Sequence, residues 1–166
     1  NTRVVIVPEK DGVTDTQALE DMIKADPQAA CFYVQQPNYY GNLEDGEGLG
    51  RIDHEAGAKY IMSCNPMALA VMKTPAEYGA DIAVGDGQPL GMPLAFGGPY
   101  LGFMAATAAM TRKLPGRIVG ETTDSRGERA FVLTLQAREQ HIRREKASSN
   151  VCSNQAWCAL TASVYM

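Results

Sequence analysis

The feature that most constrains this chain is the repeated exchange of two hydrophobic periods along it. Short β-branched or aromatic runs alternate with stretches whose apolar residues recur every three to four positions. Val4-Val5-Ile6-Val7, ended by Pro8, reads as a buried strand. Asp11-Gly12 turns the chain. Thr14 or Asp15 can then cap a helix to about Ala25, with Ala18, Leu19, Met22 and Ile23 on one face. Cys31-Phe32-Tyr33-Val34 is the next strand, and residues 37–42 carry loop chemistry at its end. A helix is expected from about Gly46 to Ala56 despite its glycines. Lys59–Ser63 and Asp81–Val84 read as strands. Between them Pro66 opens a short helix holding Leu69 and Val71, and Pro75 opens a turn. Tyr100–Met104 is a further strand, and Thr107–Thr111 a short helical stretch. Arg117–Thr122 and Arg129–Leu135 can pair as a hairpin around Asp124-Ser125-Arg126-Gly127. Two helices, about Arg138–Ala147 and Ser153–Met166, close the chain. Strand–helix alternation over most of the length predicts an α/β fold with a mostly parallel sheet and flanking helices. Such sheets place their working loops at the carboxyl ends of the strands, here after Val34, Ser63 and Val84.

Composition narrows the function classes. The 166 residues carry a net charge of −4, and the sequence pI is about 5.2. A mildly acidic chain without a long basic run does not suit a phosphate backbone, so no nucleic-acid partner is expected. No apolar run approaches the roughly 18–20 residues of a membrane span, and no signal peptide is expected from Asn1-Thr2-Arg3, which lead straight into a strand-like run. A cytoplasmic location and reduced, mostly buried thiols are the expectation for Cys31, Cys64, Cys152 and Cys158. These four form no Cys-x-x-Cys pair, so no metal site is expected. The chain starts without Met and stops at Met166 inside a helical pattern, so both ends are expected to be cut.

Several segments could carry chemistry. In Gly85-Asp86-Gly87-Gln88-Pro89-Leu90-Gly91 the third glycine falls one place late for a dinucleotide fingerprint, and Pro89 sits where a helix should start. Its plainer reading is a loop needing glycine for unusual backbone angles. Ala95-Phe96-Gly97-Gly98-Pro99-Tyr100 is either a sharp turn or a close-packed site. Between Gln136 and Lys146, Glu139–Arg143 and His141–Glu145 stand one helical turn apart, as on a solvated face. The cluster Arg138, His141, Arg143 and Arg144 could instead grip a carboxylate or seal a subunit contact. Cys152 opens the last helix, where a helix N-terminus would lower an exposed thiol's pKa; a buried, inert thiol is the alternative. Two histidines and no strained Gly-x-Ser-x-Gly turn give no Ser-His-Asp set.

Longer motifs carry a family resemblance. The segments 79–91, 96–103 and 115–122 resemble the P-protein of the glycine cleavage system. So does Leu133-Thr134-Leu135-Gln136 leading into Arg138–Lys146, with Ser149-Asn150 before Cys152 and Asn154-Gln155-Ala156. The resemblance spans essentially the whole chain and is weakest before Ala30. The wording Gly87-Gln88-Pro89-Leu90-Gly91 is similar to the α-subunit (subunit 1) of the two-subunit bacterial form. The resemblance implies part of the large domain of the type I PLP-dependent transferase (aminotransferase-like) fold. The earlier part of that domain and the small C-terminal domain are expected outside residues 1–166. It also implies an oxidoreductase subunit of glycine catabolism. The reaction is PLP-dependent decarboxylation of glycine, with aminomethyl transfer to the lipoyl group of the H-protein.

That fold needs a Schiff-base lysine after a strand. None of Lys10, Lys24, Lys59, Lys73, Lys113 and Lys146 lies between Val84 and Tyr100. Near position 65, where the fold places the acid facing the pyridine nitrogen, stands Asn65, which cannot supply charge. The expectation is therefore a non-PLP subunit, which the resemblance places in a heterotetramer, with a cytoplasmic location. Its partners would be a PLP-carrying β-subunit and the lipoylated H-protein. No catalytic residue is expected on this chain by itself. Arg138, His141, Arg143, Arg144, Gly97, Gly98 and Asn65 are the candidates for shaping the site or the interface. The alternatives are a self-sufficient PLP enzyme using an outlying lysine, and a scaffold that lends no side chain to a site.

Overall fold

The computed structural model describes residues 2–115, 118–134, 144–147 and 155–166. They belong to two compact units, one of residues 1–107 with 155–166 and one of residues 108–154. The first departure from expectation comes at once. Residues 2–8 form no strand, and Val4, Val5 and Ile6 are exposed. A β-branched run makes a strand only where a neighbour completes its ladder, and among the described residues none does so here. Val7 alone packs against the core. The chain then makes a small antiparallel hairpin of β1 (Glu9–Lys10) and β2 (Val13–Thr14).

Helix α1 (Thr16–Ala25) starts where Asp15 stops: its side chain accepts from the Ala18 N–H at 3.1 Å. Helix α2 (Gly46–Glu55) starts in the same way, with Asp45 accepting from the Gly48 N–H at 3.0 Å. Each cap satisfies an amide that the helix itself cannot, a contribution of about 1 kcal/mol.

Strands β3 (Cys31–Gln36), β4 (Lys59–Cys64), β5 (Ile82–Asp86) and β6 (Gly102–Ala106) form one sheet in that order. The first three are parallel, joined by the crossovers that contain α2 and the 65–80 segment. β6 turns back antiparallel to β5, pairing Ile82 with Ala106 and Asp86 with Gly102. The strand expected at Tyr100–Met104 is thus shifted two residues along. Gly85 and Asp86, expected in the following loop, belong to β5.

Alternation along β3 and β4 decides where the core lies. Phe32 and Val34 face the same way as Tyr60 and Met62, and with Leu19, Leu49 and Ala80 they form the buried cluster under α1 and α2. Burying one such large side chain contributes roughly 1.5–3 kcal/mol. The opposite face carries Cys31, Tyr33, Ile61 and Met104, which stay exposed or half-buried. Of the thiols expected to be buried, Cys64 is, whereas Cys31 is exposed because its strand position points away from the helices.

The expected helix after Pro66 is a single 3-10 turn, Ala68–Ala70. Helix α3 (Ala156–Tyr165) holds the end of the chain, with Ala162 buried and Tyr165 against Gly91.

In the second unit, residues 108–113 form a 3-10 stretch where a short helix at 107–111 is expected. β7 (Ile118–Thr123) and β8 (Arg129–Thr134) pair as the expected hairpin. Its turn is tied by Asp124, whose carboxylate accepts from the Arg126 and Glu128 N–H groups at 2.7 and 3.0 Å. Of the helix expected over Arg138–Ala147, residues 138–143 lie outside the described residues, and Arg144–Lys146 form a 3-10 turn. Arg117, Leu135, Cys152 and the expected helix start at Ser153 also lie outside them.

Candidate functional site at the carboxyl edge of the sheet

The parallel register brings the ends of β3 and β4 side by side, with Gln36 opposite Cys64, and β5 follows on the far side of β4. The polar cluster richest in hydrogen bonds among the described residues of this edge stands after β3. Gln36 is buried, and its amide both donates to the Glu44 carbonyl (3.2 Å) and accepts from the Glu44 N–H (2.9 Å). Those two bonds clamp the base of the loop 37–44, which opens with a cis Gln36–Pro37 bond. The Glu44 carboxylate, also buried, accepts from the Thr14 N–H at 2.8 Å and from Asn38 Nδ2 at 2.9 Å. Asn38 Oδ1 accepts from the Tyr40 and Asn42 N–H groups, while Asn38 and Asn42 both donate to the Gly12 carbonyl. The β1–β2 turn is thereby bolted to this loop. Gly12 has φ +78°, and a Cβ there would lie 2.6 Å from Asn42 Nδ2. Tyr39 and Tyr40 stand on the outside of the loop, edge to face with ring centroids 5.6 Å apart.

The ends of β4 and β5 are built differently. Asn65 is exposed, and its Oδ1 is occupied by the Met67 N–H at 2.9 Å, so it caps a turn. Burial pushes the Cys64 thiol up, which keeps it a poor nucleophile. Gly85 is glycine for room and not for backbone angle. A Cβ on it would lie 2.4 Å from both the Cys64 carbonyl oxygen and the Phe103 ring. Of the glycines between 85 and 91, Gly91 alone has positive φ. Asp86 Oδ1 accepts from the Gln88 N–H (2.7 Å), and Gln88 Nε2 donates to the Met92 carbonyl (2.6 Å). Phe96 at φ 47° and Gly97 at φ 92° form a tight turn closed by Gly98 N–H to Ala95 O at 2.8 Å. Of the two readings of that segment, the turn is the one observed; space around Gly97 is open, whereas Gly98 abuts Ala95.

The remaining candidates fall within the second unit's stretch of sequence. Arg138, His141 and Arg143 lie outside the described residues, and Arg144 is exposed on the 3-10 turn of the second unit. Gln36, Asn38 and Glu44 were not singled out from sequence. The available signal was the Pro37-Asn38 turn pair followed by an acid just before a helix cap.

The ionic cluster of this unit is at the opposite edge. Asp81 accepts from Lys59 Nζ (2.7 Å), His54 Nε2 (2.9 Å) and the Tyr60 N–H (3.1 Å). Burial alone would raise its pKa, but Lys59, His54 and the Tyr60 amide outweigh that and hold the carboxyl below its ordinary value. Lys59 begins β4, so it points chemistry away from the carboxyl edge. Lys24 is paired with Glu20, and Lys73 with Glu47. No described helix is long and apolar enough to cross a membrane, and no group of three or more His, Cys, Asp or Glu among the described residues could hold a metal ion. The carboxyl edge can therefore position and hydrogen-bond what meets it.

Comparison with known proteins places this architecture. A solved glycine decarboxylase (P-protein) of the glycine cleavage system, in inhibitor-bound form, superposes with a TM-score of 0.80 at 50% identity. The match covers 84% of this chain and 32% of that one. A NifS-like protein from Rickettsia africae, 15% identical with a TM-score of 0.55, shares the fold over 93% of this chain and 36% of its own. The probable glycine dehydrogenase (decarboxylating) subunit 1 of Carboxydothermus hydrogenoformans is 56% identical over 163 residues, 98% of this chain and 36% of that protein. Its counterpart in Chlorobium luteolum is 56% identical over 157 residues, 95% of this chain and 35% of that protein. The chain thus spans about a third of the length of these relatives. The profile of the glycine cleavage system P-protein family matches residues 2–166. With its aminotransferase-like α/β sheet and that match from end to end, this chain belongs to the glycine cleavage system P-protein family.

Proposed function

We propose that this stretch belongs to the non-PLP subunit of a two-subunit glycine decarboxylase. In that enzyme glycine loses CO2 and its aminomethyl group passes to the lipoyl arm of the H-protein. The stretch would form part of the large domain, with the rest of that domain and the small C-terminal domain supplied by the remainder of the polypeptide. The electron sink is the chemistry of pyridoxal phosphate, which a companion subunit carries. This chain's part is to hold shape from across the interface. The candidates for that role are Asn65, Gly97, Gly98, Arg138, His141, Arg143 and Arg144.

One observation carries the reading: in a stretch that relatives named subunit 1 match almost throughout, the loop that should anchor the cofactor has no amine. Covalent attachment needs a lysine after β5, and residues 85–101 contain none. Asn65 has its side-chain oxygen occupied by the Met67 amide, which leaves no charge to face a ring nitrogen. These residues do not fit covalent attachment of the cofactor to this chain, so no step is routed through it here.

The test is glycine–CO2 exchange by the full-length subunit alone, by its companion alone, and by the two together. Exchange by the pair only, with borohydride fixing the cofactor to a companion lysine, is the expected result. A reduced pyridoxyl group on any of the six lysines of this stretch overturns the assignment. Within the pair, Arg138→Ala, His141→Ala and Arg143→Ala are expected to lower exchange or weaken assembly. Unchanged exchange and assembly in all three would remove them from the site.

A further inference from the structure

The β7–β8 hairpin turns an apolar face to solvent. Its register sets Val119 opposite Leu133 and Glu121 opposite Phe131, so these four side chains share one face. Val119 and Phe131 are each 60% exposed, and Leu133 is 41% exposed. The other face is built of smaller residues and is better covered. Ile118, Gly120, Ala130 and Thr134 on it are half-buried, and Val132 is exposed. A two-stranded hairpin has too little core to stand by itself, so a bulky apolar face on one needs a surface to lie against.

Polar groups frame the apolar ones. The Arg129 guanidinium carbon lies 4.9 Å from the centre of the Phe131 ring, and Arg129 Nη2 is 3.2 Å from Glu121 Oε2. A face that a subunit buries in its own core tends to be apolar to its margins, because burying an ion pair costs desolvation. A face between separately folded chains has an apolar centre and a polar rim, with aromatic residues and arginine enriched. The hairpin matches the second description.

Chain continuity points to whose surface it meets. Leu133 precedes Arg138 by five residues, and five residues span at most about 18 Å. Arg138, His141 and Arg143 are the side chains assigned above to the contact with the companion subunit. The face carried by β8 lies within that reach of the same contact.

We propose that the Val119–Phe131–Leu133 face docks on the companion subunit, with Phe131 as the anchor and the Glu121–Arg129 pair at the rim. The surface it fits is an apolar patch that takes one aromatic ring at its centre and offers polar groups where the ion pair lies. The inference rests on the two-subunit reading and names the surface by which that pair holds together.

The experiment uses the full-length subunit with its companion. Benzoylphenylalanine is placed at position 131 and irradiated in the mixture, and the dissociation constant of assembly is measured by sedimentation. Cross-linking to the companion is expected. Phe131→Ala should weaken assembly on the order of tenfold or more, whereas Val132→Ala, on the opposite face, should change it by less than about twofold. Thermal unfolding of the isolated subunit should be the same for wild type and Phe131→Ala. Unchanged assembly by a folded Phe131→Ala subunit overturns the proposal, as does an equal loss from Val132→Ala. A cross-link within the subunit's own chain, or an isolated Phe131→Ala subunit that is destabilised or unfolded, also overturns it, because the face is then covered from within. If the wild-type pair assembles and exchanges glycine with CO2 while these results fail, the docking face alone falls. If no wild-type pair forms, the two-subunit reading falls and takes the docking face with it.

Discussion

Gly85 shows how much one missing methyl decides. It occupies β5 with an ordinary backbone, yet a Cβ would meet the Cys64 carbonyl and the Phe103 ring. Gly85→Ala is therefore expected to cost about 1–3 kcal/mol through overpacking. Gly102→Ala, where nothing lies within 4 Å, should change stability by less than about 0.5 kcal/mol. Urea unfolding of the two variants in the full-length subunit reads the difference. Sequence alone marked the glycine loop for unusual backbone angles, a reason that holds at Gly91 and not at Gly85. Positive φ can be suspected from Gly next to Asp or Asn, whereas a close approach depends on which strands become neighbours. The same limit hid Gln36 and Glu44, eight residues apart and meaningful only once the loop folds back. Asp15 and Asp124, by contrast, act within three or four residues of themselves, and their sites could be read directly.

At the scale of elements, the Asp81 cluster joins the end of α2 to the starts of β4 and β5 through His54, Lys59 and the Tyr60 amide. Its carboxyl is held below the ordinary value, so its contribution is present above about pH 4 and disappears as pH falls through the folded value. Asp81→Asn should cost about 2–3 kcal/mol near pH 7, and the deficit should shrink in acid. Thermal or denaturant unfolding at two pH values measures it. Helices and strands with one strong period were legible at this scale. Val4–Val7 was not, because its strand propensity found no ladder among the described residues. Nor was the reversal of β6, since a run such as Phe103-Met104 carries no mark of direction.

At the scale of the whole molecule, the telling feature lies in the first unit, whose sheet is dressed on one side among the described residues. α1 and α2 cover Phe32, Val34, Tyr60 and Met62, while Tyr33 and Met104 on the other face are 56% and 48% exposed. Parallel sheets are normally covered on both faces. Expressed alone, residues 1–166 should bind a hydrophobic dye and self-associate, and the full-length subunit should do neither. Light scattering with dye titration distinguishes them. The family was legible from long motifs, whereas the edge network was not, because it is made of common residues in uncommon company. That network has a kinetic consequence. Asn38, Asn42 and Glu44 fix the Tyr39–Tyr40 ridge to the β1–β2 turn before any visitor arrives. A partner meeting that ridge would find it already folded, so no slow ordering of the loop would precede contact and little chain entropy would be surrendered.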